Sequence, residues 1–205
     1  NKAIEGNSNS DVILVGNSTR SKYGAVAMSF VKIDSSGNLM WEKQQNFGRW
    51  ENYPTDIHNF SSNKYLITGY YDISKTADYN YQFFAYTMNE AGDSINTYST
   101  GGTKQDYCLT SILSPSTNNL TLIGMEGRGS NSSDLKLSSI KIVELSSSLT
   151  PVVSDKTYSQ QQASSALNAI YNSDGSISVI GIKYSYDNPD IVQTFFMKIK
   201  PDGTL

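Results

Sequence analysis

The chain holds one histidine, His58, and one cysteine, Cys108. A nucleophilic thiol needs a base beside it. Cys108 sits instead in "DYCLTSIL", whose alternation describes a strand with a small buried hydrophobe. His58 follows Ile57 with no partner identified by spacing. No HExxH, GxSxG or clustered Cys/His set occurs. "GMEGRG" lacks the GK[ST] and following helix of a phosphate loop. "DNPD" (Asp187–Asp190) offers two carboxylates and an amide oxygen, short of the six to eight oxygens that calcium takes. Glycoside hydrolysis uses two carboxylates roughly 5–10 Å apart. Glu5, Glu51, Asp56 and Asp106 are the acids available for it, and the sequence pairs none of them. No catalytic residue, metal or cofactor is expected.

Binding chemistry is better represented. Fourteen tyrosines stand against two tryptophans, and Tyr offers a flat ring with a polar tip. Rings beside carboxylates and Arg suit a glycan or a protein partner. The candidate binding residues are Arg20, Tyr23, Trp50, Tyr53, Tyr70, Tyr71, Asp72, Tyr107, Arg128, Tyr184, Tyr186 and Asp187. Charged residues make up 17% and net charge is −3, with Lys and Arg scattered singly. Nucleic-acid binding, which needs a phosphate-neutralising patch, is not expected. No apolar run is long enough to span a membrane as a helix.

These residues are placed by a repeat. "DVILVG", "KYLITG", "NLTLIG" and "SISVIG" end at Gly16, Gly69, Gly124 and Gly181, at intervals of 53, 55 and 57 residues. Ile4, Ile57 and Ile112 each stand twelve residues before their glycine, and Ile170 stands eleven before. This column makes Glu5, Leu113 and Tyr171 the equivalents of His58. A second run follows each glycine: "AMSFVKIDSSG", "QFFAYTMNEAG", "LSSIKIVELSSS" and "TFFMKIKPDG". The third has Ser or Leu where the others have the turn glycine. "NLMWEKQQ", "SINTYST" and "TPVVSDKTYS" close the first three units, and the fourth has no such segment.

Each unit therefore reads as four short strands, a to d, joined by Gly, Asn, Asp and Ser turns. In the first, a lies near Lys2–Glu5, b at Asp11–Gly16, c at Ala27–Asp34 and d at Asn38–Gln45. A helix over Ser159–Ile170 is the alternative for one segment, since Ala, Gln and Leu favour it. Repeated four-stranded antiparallel units of about 50 residues describe an all-β, propeller-type array. The units fall at approximately 1–50, 51–104, 105–160 and 161–205, as one domain or part of one. In such a meander the short a–b and c–d turns share one end. The longer b–c connections, 17–24, 70–80, 125–135 and 182–190, share the other. The glycine is expected to end strand b, which puts the binding residues on loops at that second end.

"VKIDSSGNLMW", then "FGRW…DI" and a strand ending in glycine, resembles bacterial secreted β-propellers. "DSSGNLMW" is also similar to the Asp-box of sialidases (Ser-x-Asp-x-Gly-x-x-Trp), with Asp34 three residues before Gly37 rather than two. The four repeats give about four blades, closing alone or as part of a larger ring, and the resemblance implies an extracytoplasmic protein, periplasmic or at the cell surface. The function expected is a non-enzymatic binding or scaffold module, with a propeller-type glycosidase as the alternative. The open edge of the fourth unit is a further place for a partner strand.

Overall fold

The computed structural model describes residues 2–6, 10–19, 26–47, 51–61, 63–74, 80–101, 105–128, 138–158, 164–185 and 191–205. Among them the regular elements are all strands. They are β1 (Lys2–Glu5), β2 (Val12–Thr19), β3 (Val26–Ile33), β4 (Leu39–Gln45), β5 (Asn52–Ser61), β6 (Lys64–Asp72), β7 (Tyr81–Asn89) and β8 (Ser94–Thr100). There follow β9 (Gln105–Leu113), β10 (Leu120–Arg128), β11 (Ser139–Leu145), β12 (Val152–Tyr158), β13 (Ser164–Tyr171), β14 (Ile177–Tyr184) and β15 (Val192–Ile199). They form four antiparallel sheets, ordered β1-β2-β3-β4, β5-β6-β7-β8, β12-β11-β10-β9 and β13-β14-β15. The four-strand reading holds for the first three units, and the fourth shows strands a to c among the described residues. The segment 164–171 is a strand, not a helix; residues 159–163 lie outside the described set.

Two compact units divide the chain, Asn1–Thr100 and Gly101–Leu205. In the first, β5 lies against β1, β2 and β3. Ile13, Val15, Met28 and Phe30 form one core with Ile57, Tyr65, Ile67, Phe84, Tyr86 and Met88. In the second, β13 lies against β9, β10 and β11. Ile123, Ile140 and Ile142 share a core there with Ala166, Ala169, Val179, Met197 and Ile199. Each sheet thus buries one face against its neighbour within the unit, and in β6, β7 and β10 consecutive residues are buried, so both faces of those strands are covered.

The recurring glycine does not end strand b. β2, β6, β10 and β14 run three or four residues past it. In three sheets the glycine faces a bulge in strand a. Gly69 pairs with Pro54 and Thr68 with Asp56; Gly124 pairs with Cys108 and Ile123 with Thr110; Gly181 pairs with Ala166 and Ile180 with Asn168. One residue, Thr55, Leu109 or Leu167, is left over each time. The bulge pushes a carbonyl over the glycine. A Cβ on Gly69, Gly124 or Gly181 would stand 2.1, 1.8 or 2.3 Å from the oxygen of Tyr53, Tyr107 or Ser165. No side chain fits beneath it, so the column is glycine for close approach.

The bulges also correct the isoleucine column. Ile4 pairs with Ile13, His58 with Leu66, Ile112 with Thr121 and Ile170 with Ser178, each third before its glycine. His58 therefore stands with Ile4, Ile112 and Ile170, not with Glu5, Leu113 and Tyr171. The turn between strands a and b changes length from sheet to sheet, which a count of residues cannot register.

The c–d turns keep one geometry. Gly37, Gly92 and Gly203 have φ of 83°, 76° and 78°. Leu149 takes their place in the third sheet at φ 67°. Its N–H donates to the Ser146 carbonyl at 2.8 Å, as Gly37 N–H does to Asp34 at 2.9 Å. Its side chain is buried, and that burial offsets a left-handed conformation costing about 1–2 kcal/mol.

Candidate ligand-binding site

The two units share a register but fill the space between their sheets differently. Aligned on the glycine, Lys32 and its cross-strand partner Trp41 correspond to Glu144 and Ser154. Tyr65 corresponds to Ile177, Asp11 to Asn119, and Glu90 to Pro201. In the first unit these side chains close the turn end of the inter-sheet space. The Trp41 ring packs against the core and its Nε1 donates to the Glu90 carbonyl at 3.1 Å. The Tyr65 hydroxyl donates to Glu90 Oε1 at 2.6 Å. The Lys32 ammonium sits between Asp11, at 3.2 Å, and Glu90.

In the second unit the smaller set leaves a groove of about 600 Å³. It opens at the end carrying the short turns, and Ile142, Ile177 and Ile199 line its apolar part. Polar groups surround them. Glu144 Oε1 accepts from Asn119 Nδ2 at 2.9 Å. The Tyr171 and Thr121 hydroxyls share a hydrogen bond at 2.7 Å. Tyr158 donates to the Gly203 carbonyl at 2.9 Å, and Lys156 donates to the Asp202 carbonyl at 2.8 Å. The Asn172 amide nitrogen is held by the Ser176 and Ser178 hydroxyls at 2.8 and 2.9 Å. Burial raises the Tyr171 phenol, against the Thr121 hydrogen bond and with the Glu144 charge. Burial also raises the Tyr158 phenol, with Asp202 adding to it. Both remain neutral hydroxyls at physiological pH. The groove therefore offers neutral donors and acceptors, with the carboxylates of Glu144 and Asp202 and the ammonium groups of Lys156 and Lys200, around an aliphatic floor.

The sequence-derived residues fall elsewhere. Arg20, Tyr23, Trp50, Tyr186 and Asp187 lie outside the described residues. Tyr53, Tyr70, Tyr71, Asp72, Tyr107, Arg128 and Tyr184 lie on strands rather than loops, because strand a starts earlier and strand b runs further than expected. Tyr53 and Tyr70 meet at 5.1 Å, and Tyr81 meets Tyr70 edge-on at 5.4 Å. Tyr81 hydrogen-bonds to the Glu51 carboxylate. Tyr71 points the other way and packs on Phe47 and Phe84 in the core. Asp72 is fully buried and accepts from Ser74 N, Ser74 Oγ and Asn80 N at 2.8, 2.8 and 3.0 Å, which shapes a turn. Tyr107 donates to Gln105 Oε1 at 2.5 Å. Arg128 ends β10 opposite Gln105, and Tyr184 ends β14 opposite Val192.

Three of the four acids considered for glycosidase chemistry, Glu51, Asp56 and Asp106, have structural partners. Asp56 accepts from Ile57 N at 3.1 Å and lies 3.7 Å from Lys2 and 3.9 Å from His58. Asp106 is fully buried and accepts from Gly127 N at 2.9 Å. Cys108 is buried. Among the described residues no group of three His, Cys, Asp or Glu is placed to hold a metal, and no helix is long and apolar enough to cross a membrane.

The groove was missed because no motif marks it. Its one signal is a substitution between repeats, Ser154 where Trp41 stands, visible once strand d is in register. No protein-family model and no curated protein matches this chain.

Proposed function

We propose that the chain is a propeller-type array of blades acting as a non-enzymatic binding module in an extracytoplasmic setting, with a neutral glycan seated in the groove of the second unit. The observation that carries this reading is the groove itself, open where Trp41, Tyr65 and the Lys32 cluster close the equivalent space. Its size suits a small ligand, for which pockets run about 300–1,000 Å³. A sugar presents one apolar face and a ring of hydroxyls. The isoleucine floor and the Glu144, Asn172 and Lys156 polar groups match those two surfaces. The propeller arrangement is supported by the recurrence of one meander and of one sheet-on-sheet contact in both units.

The test is Ser154→Trp, which places in the groove the ring that closes its counterpart. Binding on an array of neutral oligosaccharides is expected for the native chain and lost in the variant, with melting temperature unchanged or raised. Undiminished binding by the variant would remove the groove as the seat. An array with no bound glycan would remove the ligand class.

The Tyr53–Tyr70–Tyr81 cluster favours a second reading, a protein partner at the other end of the second sheet. Tyr70→Ala is then expected to weaken that partner's binding without unfolding the chain. Turnover of aryl-glycosides abolished by Asp56→Asn would favour an enzyme over both.

A further inference from the structure

One sheet-to-sheet contact is made in each unit, and its two halves recur unmade on other sheets. Val15 and Phe30 pack in one core with Ile67 and Tyr86. Ile123 and Ile142 pack in another with Val179 and Met197. Val15 and Ile123 stand one residue before the glycine; Phe30 and Ile142 stand one after the glycine's partner on strand c. The same two positions in the fourth sheet are Ile180 and Phe196, which are 47% and 69% exposed. The covering pairs, Ile67 with Tyr86 and Val179 with Met197, stand two before the glycine and two after its partner. In the first sheet these positions are Leu14 and Val31. Leu14 is exposed, and the pair lines an apolar recess of about 410 Å³ with Ala3, Gly16 and Ser29.

In the second and fourth sheets the glycine lies under the ring of its partner, Phe84 or Phe195. In the first sheet that partner is Ser29, which carries no ring.

We propose that this chain associates head to tail with a second copy of itself, the fourth sheet of one copy laying Ile180 and Phe196 over Leu14 and Val31 of the next. A second copy is the occupant because the contact continues the interface already formed in both units, with the same columns on each side. Phe196 brings a ring to the recess that Gly16 and Ser29 help to line. Such a contact is heterologous, with a different face on each partner, so it extends to further copies unless a ring closes. It is independent of the groove.

Sedimentation velocity over a wide concentration range tests it. The native chain is expected to form species larger than a monomer as concentration rises. Phe196→Lys and Leu14→Lys, both at exposed positions, are each expected to weaken association about tenfold or more, with Ile180→Glu as a second variant of the fourth sheet. Mixing the two Lys variants is the decisive arm. The first keeps an intact first sheet and the second an intact fourth sheet, so together they form a dimer and nothing larger. A native chain that stays monomeric throughout, variants that associate as the native chain does, or a mixture without dimer would each overturn the proposal.

Discussion

At the scale of single residues, two positions separate packing from backbone conformation. Gly124 is extended, and a Cβ there would meet the Tyr107 carbonyl oxygen at 1.8 Å. Gly37 has open space around it, and only its φ of 83° resists substitution. Gly124→Ala forces backbone to move and is expected to cost roughly 1–3 kcal/mol or more. Gly37→Ala is expected to cost about 1–2 kcal/mol. Urea midpoints measure both, and a larger loss at Gly37 would discard the bulge account of the glycine column. Lys32 is a third case. Its side chain is 5% exposed, with Asp11 and Glu90 beside it. Lys32→Met leaves two carboxylates without their cation, for an expected loss of about 3–5 kcal/mol. Lys32→Met with Asp11→Asn is expected to recover part of that.

At the scale of elements, Trp41 and Ser154 are the informative pair. Trp41→Ser opens in the first unit the space that Ser154 leaves in the second. Because the ring is only half-buried, the expected cost is roughly 2–3 kcal/mol, below the 3–5 of a fully buried one. Denaturation of that variant measures it. A cost near zero would mean that the ring does not fill the first unit. The strands themselves were readable in the sequence. "DSSGN", "NEAGD" and "KPDGT" carry the residues that tight turns require, and the apolar runs between them have strand lengths. The extension of strand b past its glycine was not readable, because Tyr, Asn and Ser serve a strand rim and a loop equally well. The bulges were hidden for another reason. Each adds one residue to strand a, which looks like an altered turn until partners are assigned. The groove lay further out of reach, since it depends on side chains from two sheets that no spacing rule brings together.

At the scale of the whole molecule, ionisable groups set the pH range of stability. Asp34 and Asp202 are held below the ordinary carboxylate value by hydrogen bonds at their turns, Asp174 by Ser176 at its turn and by Lys198, and Asp93 first by the Lys43 ammonium and then by Asn89. At Glu126 burial opposes ionisation, but the Lys141 and Thr157 hydrogen bonds outweigh it and lower the group. A lowered acid contributes its stability fully above its unfolded value, about 4, and loses it as pH falls through the folded one. Lys141 is raised above 10.5 because hydrogen bonding and charge from Glu126 outweigh its burial, and Lys32 is raised likewise by Glu90 and Asp11. A raised base contributes fully below its unfolded value and loses the contribution as pH rises through the folded one. The raised phenols of Tyr86, Tyr158 and Tyr171 act in the same direction. Stability should therefore hold a plateau from about pH 5 to 9 and fall on both sides. The alkaline limb is assignable to Lys32 by comparison with Lys32→Met. The two chains differ most near neutrality, and the gap narrows above pH 10.5 as the native ammonium loses its proton. Urea midpoints across that range measure the gap. A difference that stays constant into strong alkali would mean that packing of the Lys32 stem, rather than its charge, accounts for the loss.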